Sequence, residues 1–249
     1  MTSGLGDQSY QVTVVLPTYN ELGSLPRVVK EIHHALAQIP HEVLVVDDNS
    51  PDGTWRWVEE EHREDSLLRL IRRTEKPGLS ASVLEGFRHA GADRWIVMDA
   101  DGQHDPALLP LMCERLAVHE LVVGSRYAEG GSTGRWTLSR WLGSRGATWL
   151  ARLILNVSLS DPMSGYFGIQ RRAFASIQDE VNPRGFKILL ELYYRMSRRK
   201  GKARVDFLEL PFEFQPRIAG QSKLTGRIVW QYLCMLISLR KERIVPCKG

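Results

Sequence analysis

The chain has 249 residues, 43% of them apolar and 25% charged, with a net charge of +4. This length and apolar share supply a real core and exclude a disordered or fibrous chain. The modest charge comes with no nucleic-acid motif, so no nucleic-acid partner is expected.

The opening residues, MTSGLGDQSY, show no basic patch followed by an apolar run, so no signal peptide is expected. β-branched runs follow at 12–17 (VTVVLP), 42–47 (EVLVVD), 67–72 (LLRLIR), 94–99 (RWIVMD) and 120–125 (ELVVGS). Helical periodicity lies between them at Leu25–Gln38, Thr54–Arg63, Leu79–Ala90 and Ala107–Leu116. Continuous apolar strands alternating with helices predict an α/β fold, with a mostly parallel sheet covered by helices on both faces. Beyond the fifth strand comes GSRYAEGGSTG, read as a mobile glycine-rich loop. The segment Arg135–Leu159 then sets Trp141, Leu142, Trp149, Leu150, Leu153 and Ile154 among arginines. Such an amphipathic helix either packs on the core or lies at a lipid interface. The longest apolar stretch, Ile228–Leu239, is shorter than the roughly 20 residues that cross a bilayer. Basic residues gather late, at Arg135, Arg140, Arg145 and Arg152, then at 198–200 and 240–243. They suit phosphate groups or an anionic membrane surface. Cys113, Cys234 and Cys247 are odd in number and lack metal or redox spacing, which favours a reducing compartment.

Ligands of such sheets bind beyond the carboxyl ends of the strands. PTYNE, DDNSPDGT, DADGQHD and SRY all fall at those ends. Alone, Asp99 and Asp101 read as ordinary turn residues. With acids after three of the four strands, they read instead as ligands of a hard divalent cation, with Gln103 lending a carbonyl oxygen. Oxygen donors of this kind favour Mg2+ or Mn2+ over zinc, and the adjacent His104 reads as a hydrogen-bonding loop residue. A GxxxxGK[ST] loop, a GxGxxG turn after a strand, a GxSxG elbow and a nucleophilic cysteine are all missing. The acids are therefore expected to hold a metal that holds a nucleotide diphosphate.

PTYNE, VVDDNSPDGT, GLSASVLEGF, MDADGQHDP, GSRY, SRWLGSRGA, DPMSGYFGIQRRAF, FKILLEL and RIAGQSKL follow one another in the order that marks a known family. From Val12 to Leu239 the chain resembles the polyprenol-phosphate (dolichol-phosphate) mannosyltransferases, inverting GT-A enzymes of glycosyltransferase family 2. The resemblance implies one GT-A domain over 1–249, with a nucleotide-sugar half near 10–130. An acceptor and membrane-interface half near 131–249 would end in amphipathic interface helices. Pro17, Tyr19, Glu21, Val46 and Asp48 would hold the guanosine of GDP-mannose, and Asp99, Ala100, Asp101 and Gln103 the metal and diphosphate. Arg126, Arg217 and Lys223 would contact phosphates. Arg126, Arg140 and Ser144 would receive a polyprenyl or dolichyl phosphate, and Asp101, Arg126, Arg140 and Lys223 would carry catalysis.

The implied activity is mannose transfer to that lipid with inversion, at the cytoplasmic face of a membrane, giving a lipid-linked sugar donor for glycosylation. DDNSPDGT and the His after DADGQ resemble the mannosyl branch; glucosyl relatives more often show DDGS and DLQDPP variants. The alternatives are a UDP-glucose or other UDP-sugar transferase and a nucleotide-binding membrane module without turnover. The chain stops at VPCKG without the transmembrane helices of many relatives, so membrane contact is expected from amphipathic helices or an anchoring partner subunit. Gln221 stands where the family commonly has Glu, and Ala219 where some relatives carry Arg. A phosphate acceptor is already anionic near neutral pH and needs no general base.

Overall fold

Runs of β-branched and aliphatic residues fill both faces of a strand, so they suit a sheet buried on two sides. A computed structural model describes residues 10–183, 187–199, 204–216 and 226–242. The five expected runs form β1 (Val12–Thr18), β2 (His41–Asp47), β3 (Leu68–Arg72), β4 (Arg94–Val97) and β5 (Leu121–Ser125). Two strands that the pattern did not disclose, β6 (Phe167–Gln170) and β7 (Phe207–Pro211), join them in one sheet ordered β3-β2-β1-β4-β6-β5-β7. All pairings are parallel except those of β6, which runs antiparallel to β4 and β5.

Helices α1 (Leu25–Ala35), α2 (Thr54–Glu61), α3 (Leu79–His89) and α4 (Leu109–Arg115) occupy the periodic segments. They are followed by α5 (Leu138–Leu155), α6 (Arg171–Ala175), α7 (Ile188–Arg198) and α8 (Gly226–Glu242). Side chains alternate along each strand, and the core divides accordingly. Val12, Val14 and Leu16 join α1 and α4 on one face of the sheet, while Val15, Leu44 and Val46 join α3, α5 and α7 on the other. Gly86 lets α3 approach β1 closely, since a Cβ there would overlap a Val15 methyl.

The parallel strands present their carboxyl ends at one rim. Because β6 runs the other way, the loop before it, rather than the one after it, arrives at that rim. Helices α5 and α8 pack together, with the Tyr232 hydroxyl donating to the Ala147 carbonyl at 2.7 Å. The buried face of α5 is Thr148, Ala151 and Leu155, while Trp149 is 62% and Leu153 64% exposed. Trp141, Leu138 and Leu142 on α5 and Trp230 and Ile237 on α8 are exposed as well. The tryptophans of α5 therefore lie outside the core. No described helix is long and apolar enough to cross a membrane.

Candidate active site

The loops after β1 and β2 interlock before either meets a ligand. Asp47 accepts from the Ser50 amide at 2.8 Å, the Ser50 hydroxyl at 2.6 Å and the Thr18 hydroxyl at 2.8 Å. Asp52 accepts from the Thr54 amide and from the Leu22 amide, at 2.9 and 3.1 Å. These two acids of DDNSPDGT thus hold backbone. Asp48 alone turns towards α3: its Oδ1 accepts from Arg73 and, at 2.9 Å, from Ser82, and its Oδ2 accepts from the Gly78 amide at 2.8 Å. Pro17 pairs in register with Val46, whose side chain is fully buried in the core. Val46 therefore lies wholly within the core beneath the rim. Tyr19 is 37% exposed at the rim, and Glu21 lies beside it, its amide donating to the Thr54 hydroxyl.

Beyond β4, Asp101 is only 3% exposed, and its Oδ1 accepts from the Gln103 amide at 3.0 Å, closing a turn through Gly102, whose φ is 78°. Ala100 is buried beneath this turn. Gln103 donates through Nε2 to the Gln215 carbonyl at 3.2 Å and accepts at its own carbonyl from the Gln215 amide at 3.0 Å. Gly165 leaves room for the Asp99 carboxylate, since a Cβ there would lie 2.9 Å from Oδ2. Two carboxylates and an amide oxygen at one strand end fit a hard cation that takes its remaining ligands from water or phosphate. Among the described residues no three His, Cys, Asp or Glu side chains converge on a metal site, which leaves only that sparse donor set.

His104 is a core residue. Its ring stacks on Tyr166 with centroids 5.0 Å apart, Phe212 and Phe214 meet it edge-on, and its Nδ1 accepts from the Asp99 amide at 3.0 Å. Burial lowers its pKa to about 4, with Asp101 pulling upward against Arg126. In the unfolded chain the same imidazole titrates near 6.5, so the unfolded state binds more protons between those values. Stability of the metal-free protein should fall as pH drops from about 6.5 to about 4, by about 3 kcal/mol from this residue. Urea titrations across that range should show a shallower acid loss for His104→Asn; an unchanged slope would mean that the imidazole is already charged in the fold.

Beyond β5, Arg126 is buried and forked onto Asp161, with Nε–Oδ2 and Nη2–Oδ1 both at 2.7 Å. Burial opposes its charge, but the hydrogen bonds and charge of Asp161 outweigh that and raise its pKa. Asp161 is delivered by the loop before β6 and is anchored in turn through its amide to Glu209. Arg140 lies on the first turn of α5, with its guanidinium 4.2 Å from the Trp136 ring centroid. The Ser144 hydroxyl accepts from Tyr127 at 2.9 Å. Lys187, just ahead of α7, belongs to the same cluster. Burial and Arg126 hold its ammonium below the usual lysine range, while Asp99 and Asp161 pull it back up.

The rim therefore brings together Asp99, Asp101, Gln103, Arg126, Arg140 and Ser144 as the sequence implied. Arg217 and Lys223, with the variant positions Ala219 and Gln221, lie outside the described residues. The loop read as mobile, GSRYAEGGSTG at 124–134, is pinned at Ser132, whose amide donates to Phe212 and whose carbonyl accepts from Phe214, at 3.0 and 2.9 Å. Sequence reasoning gave no role to Asp161, Lys187, Tyr127, Trp136 or Phe214. Asp161 was within reach as the acid of DPMSG, had the strand after it been recognised.

The family model of glycosyl transferase family 2 matches residues 13–178. The chain belongs to glycosyl transferase family 2. It is 38% identical over 239 residues to the dolichol-phosphate mannosyltransferase of Mycosarcoma maydis, covering 93% of this chain and 79% of that protein. It is 35% identical to the undecaprenyl-phosphate mannosyltransferase of Micrococcus luteus, covering 88% of this chain and 89% of that protein. To the dolichol-phosphate mannosyltransferase of Pyrococcus furiosus it is 37% identical over 93% of its own length, but it spans only 64% of that longer protein. Among solved structures, glucosyl-3-phosphoglycerate synthase of Mycobacterium tuberculosis in complex with UDP superposes with a TM-score of 0.67. That match covers 100% of this chain and 87% of the other at 18% identity, a likeness of fold. The expected GT-A architecture of family 2 is thereby borne out, with β6 as its antiparallel member.

Proposed function

We propose that this chain transfers mannose from GDP-mannose to a polyprenyl phosphate with inversion at the anomeric carbon, working peripherally on the cytoplasmic face of a membrane. The observation that carries the reading is the meeting, on one rim, of an oxygen-donor strand end and a cluster of cations, beside a helix pair with an exposed apolar face. The names of the relatives support the choice of sugar and lipid. Asp99, Asp101 and the amide oxygen of Gln103 would hold Mg2+ or Mn2+, whose chemistry there is to neutralise charge gathering on the leaving diphosphate. Asp101 is fixed by its turn, so its carboxylate need not reorganise when the donor arrives, while Asp99 is held to His104 through its backbone amide. Arg126, locked by Asp161, and Arg140 on α5 receive the acceptor phosphate and screen its repulsion from the donor. No side chain need take a proton, because the acceptor enters as an anion.

Incubation with radiolabelled GDP-mannose and a short polyprenyl phosphate should move label into the lipid fraction, with unlabelled UDP-glucose competing poorly. Label that moves only from UDP-glucose would replace mannose with glucose. No transfer from either donor would leave a nucleotide-binding module.

A further inference from the structure

Two positive side chains share one aromatic support at the acceptor side of the rim. The guanidinium carbon of Arg140 lies 4.2 Å from the Trp136 ring centroid, and that of Arg126 lies 4.9 Å from it. Phe214 stands edge-on to Trp136, with centroids 5.4 Å apart at 83°, and carries the same two cations at 5.3 and 5.7 Å. Trp136 immediately precedes Thr137, the residue that caps α5, so it sits at the joint between the pinned loop and the helix bearing Arg140. The indole Nε1 is buried and has no hydrogen-bond partner.

Like charges gathered in one place repel, and a flexible exposed arginine has many other rotamers to occupy. The negative faces of two aromatic rings offset the repulsion and hold the planar guanidinium in one orientation. They also exclude water from one side of the cluster, which strengthens its attraction for an incoming anion. A buried donor without an acceptor is costly to maintain, and this one lies beside two guanidiniums.

We propose that Trp136, backed by Phe214, is the positioning residue that sets Arg126 and Arg140 for the phosphate of the lipid acceptor. Its indole N–H supplies a further donor to that phosphate. The inference rests on the acceptor being a prenyl phosphate.

Calorimetric titration with a short prenyl monophosphate and, separately, with GDP tests it without requiring turnover. Trp136→Leu should weaken the prenyl phosphate about tenfold or more and leave GDP within about twofold. Trp136→Phe keeps a weaker ring face and loses the N–H, so it should lie between, at about threefold. In an Arg140→Ala background both effects should shrink, because the ring acts partly through that arginine. Equal losses for both ligands would make Trp136 a general structural residue and overturn the proposal. If Trp136→Leu fails to fold, Trp136→Phe decides, and wild-type affinity in that variant overturns it equally. Wild-type protein that binds prenyl phosphate but transfers no mannose would sink the proposed function alone, whereas wild-type protein that ignores prenyl phosphate would overturn this inference.

Discussion

Asp101→Asn is expected to lower turnover by about three orders of magnitude while leaving the melting temperature within a few degrees. The substitution keeps the volume and the Oδ1 that accepts from the Gln103 amide at 3.0 Å, so the turn survives and only the negative charge is lost. Alanine is the poorer probe, for a reason that the sequence concealed. Asp101 is 3% exposed, and truncating it would leave the Gln103 amide unpaired at a cost of about 1–3 kcal/mol. Turnover should be measured by label transfer with the metal varied, alongside GDP binding with and without Mn2+. If the asparagine variant turns over at wild-type rate when metal is limiting, Asp101 has no part in holding it.

Replacing Trp141 and Trp149 together by serine should reduce binding to anionic vesicles by about tenfold or more, because each indole withdraws apolar area from water at roughly 25 cal/mol per Å². Both side chains face outward, 39% and 62% exposed, while α5 anchors itself to the core through Ala151 and Leu155. The variant should therefore stay folded and bind GDP normally. Wild-type binding should weaken as salt rises, since charges on this surface act over only about 8 Å at physiological ionic strength. Sedimentation with vesicles of mixed anionic and neutral lipid measures both effects. Wild-type partitioning by the double variant would mean that the exposed face meets something other than lipid.

The rhythm of β1 to β5 and of α1 to α4 was legible because long apolar runs and helical periods are local signals. β6 escaped because four residues, FGIQ, carry neither a direction nor a place in the sheet, and its insertion between β4 and β5 depends on partners far away in sequence. The missing strand concealed the site residues that depend on it. Asp161 reaches Arg126 only because β6 is reversed, and Trp136 meets Phe214 only because the segment after β7 returns to the pinned loop. The acids after β2 misled in the opposite sense: Asp47 and Asp52 are there to tie loops, and only Asp48 turns towards Arg73 and Ser82. Val46, matched to a donor contact by resemblance, has no exposed surface in the fold.

Strand β6 also sets an order of events during synthesis. β1, β2 and β3 can assemble through crossovers between neighbouring strands as they emerge, and β4 then passes back to pair with β1, joining residues as far apart as Thr13 and Trp95. β5 leaves the ribosome next but cannot join them, because the strand that bridges it to β4 appears only after α5 has been made. Until then the outer edge of β4 offers unpaired amides and carbonyls, the kind of surface on which nascent chains associate wrongly. A chain halted before Phe167 should accordingly protect the amides of β1 and β2 from hydrogen exchange and leave those of Leu121–Ser125 open. Refolding yield will then depend on how fast four residues in the middle of the chain find a slot between strands made long before them.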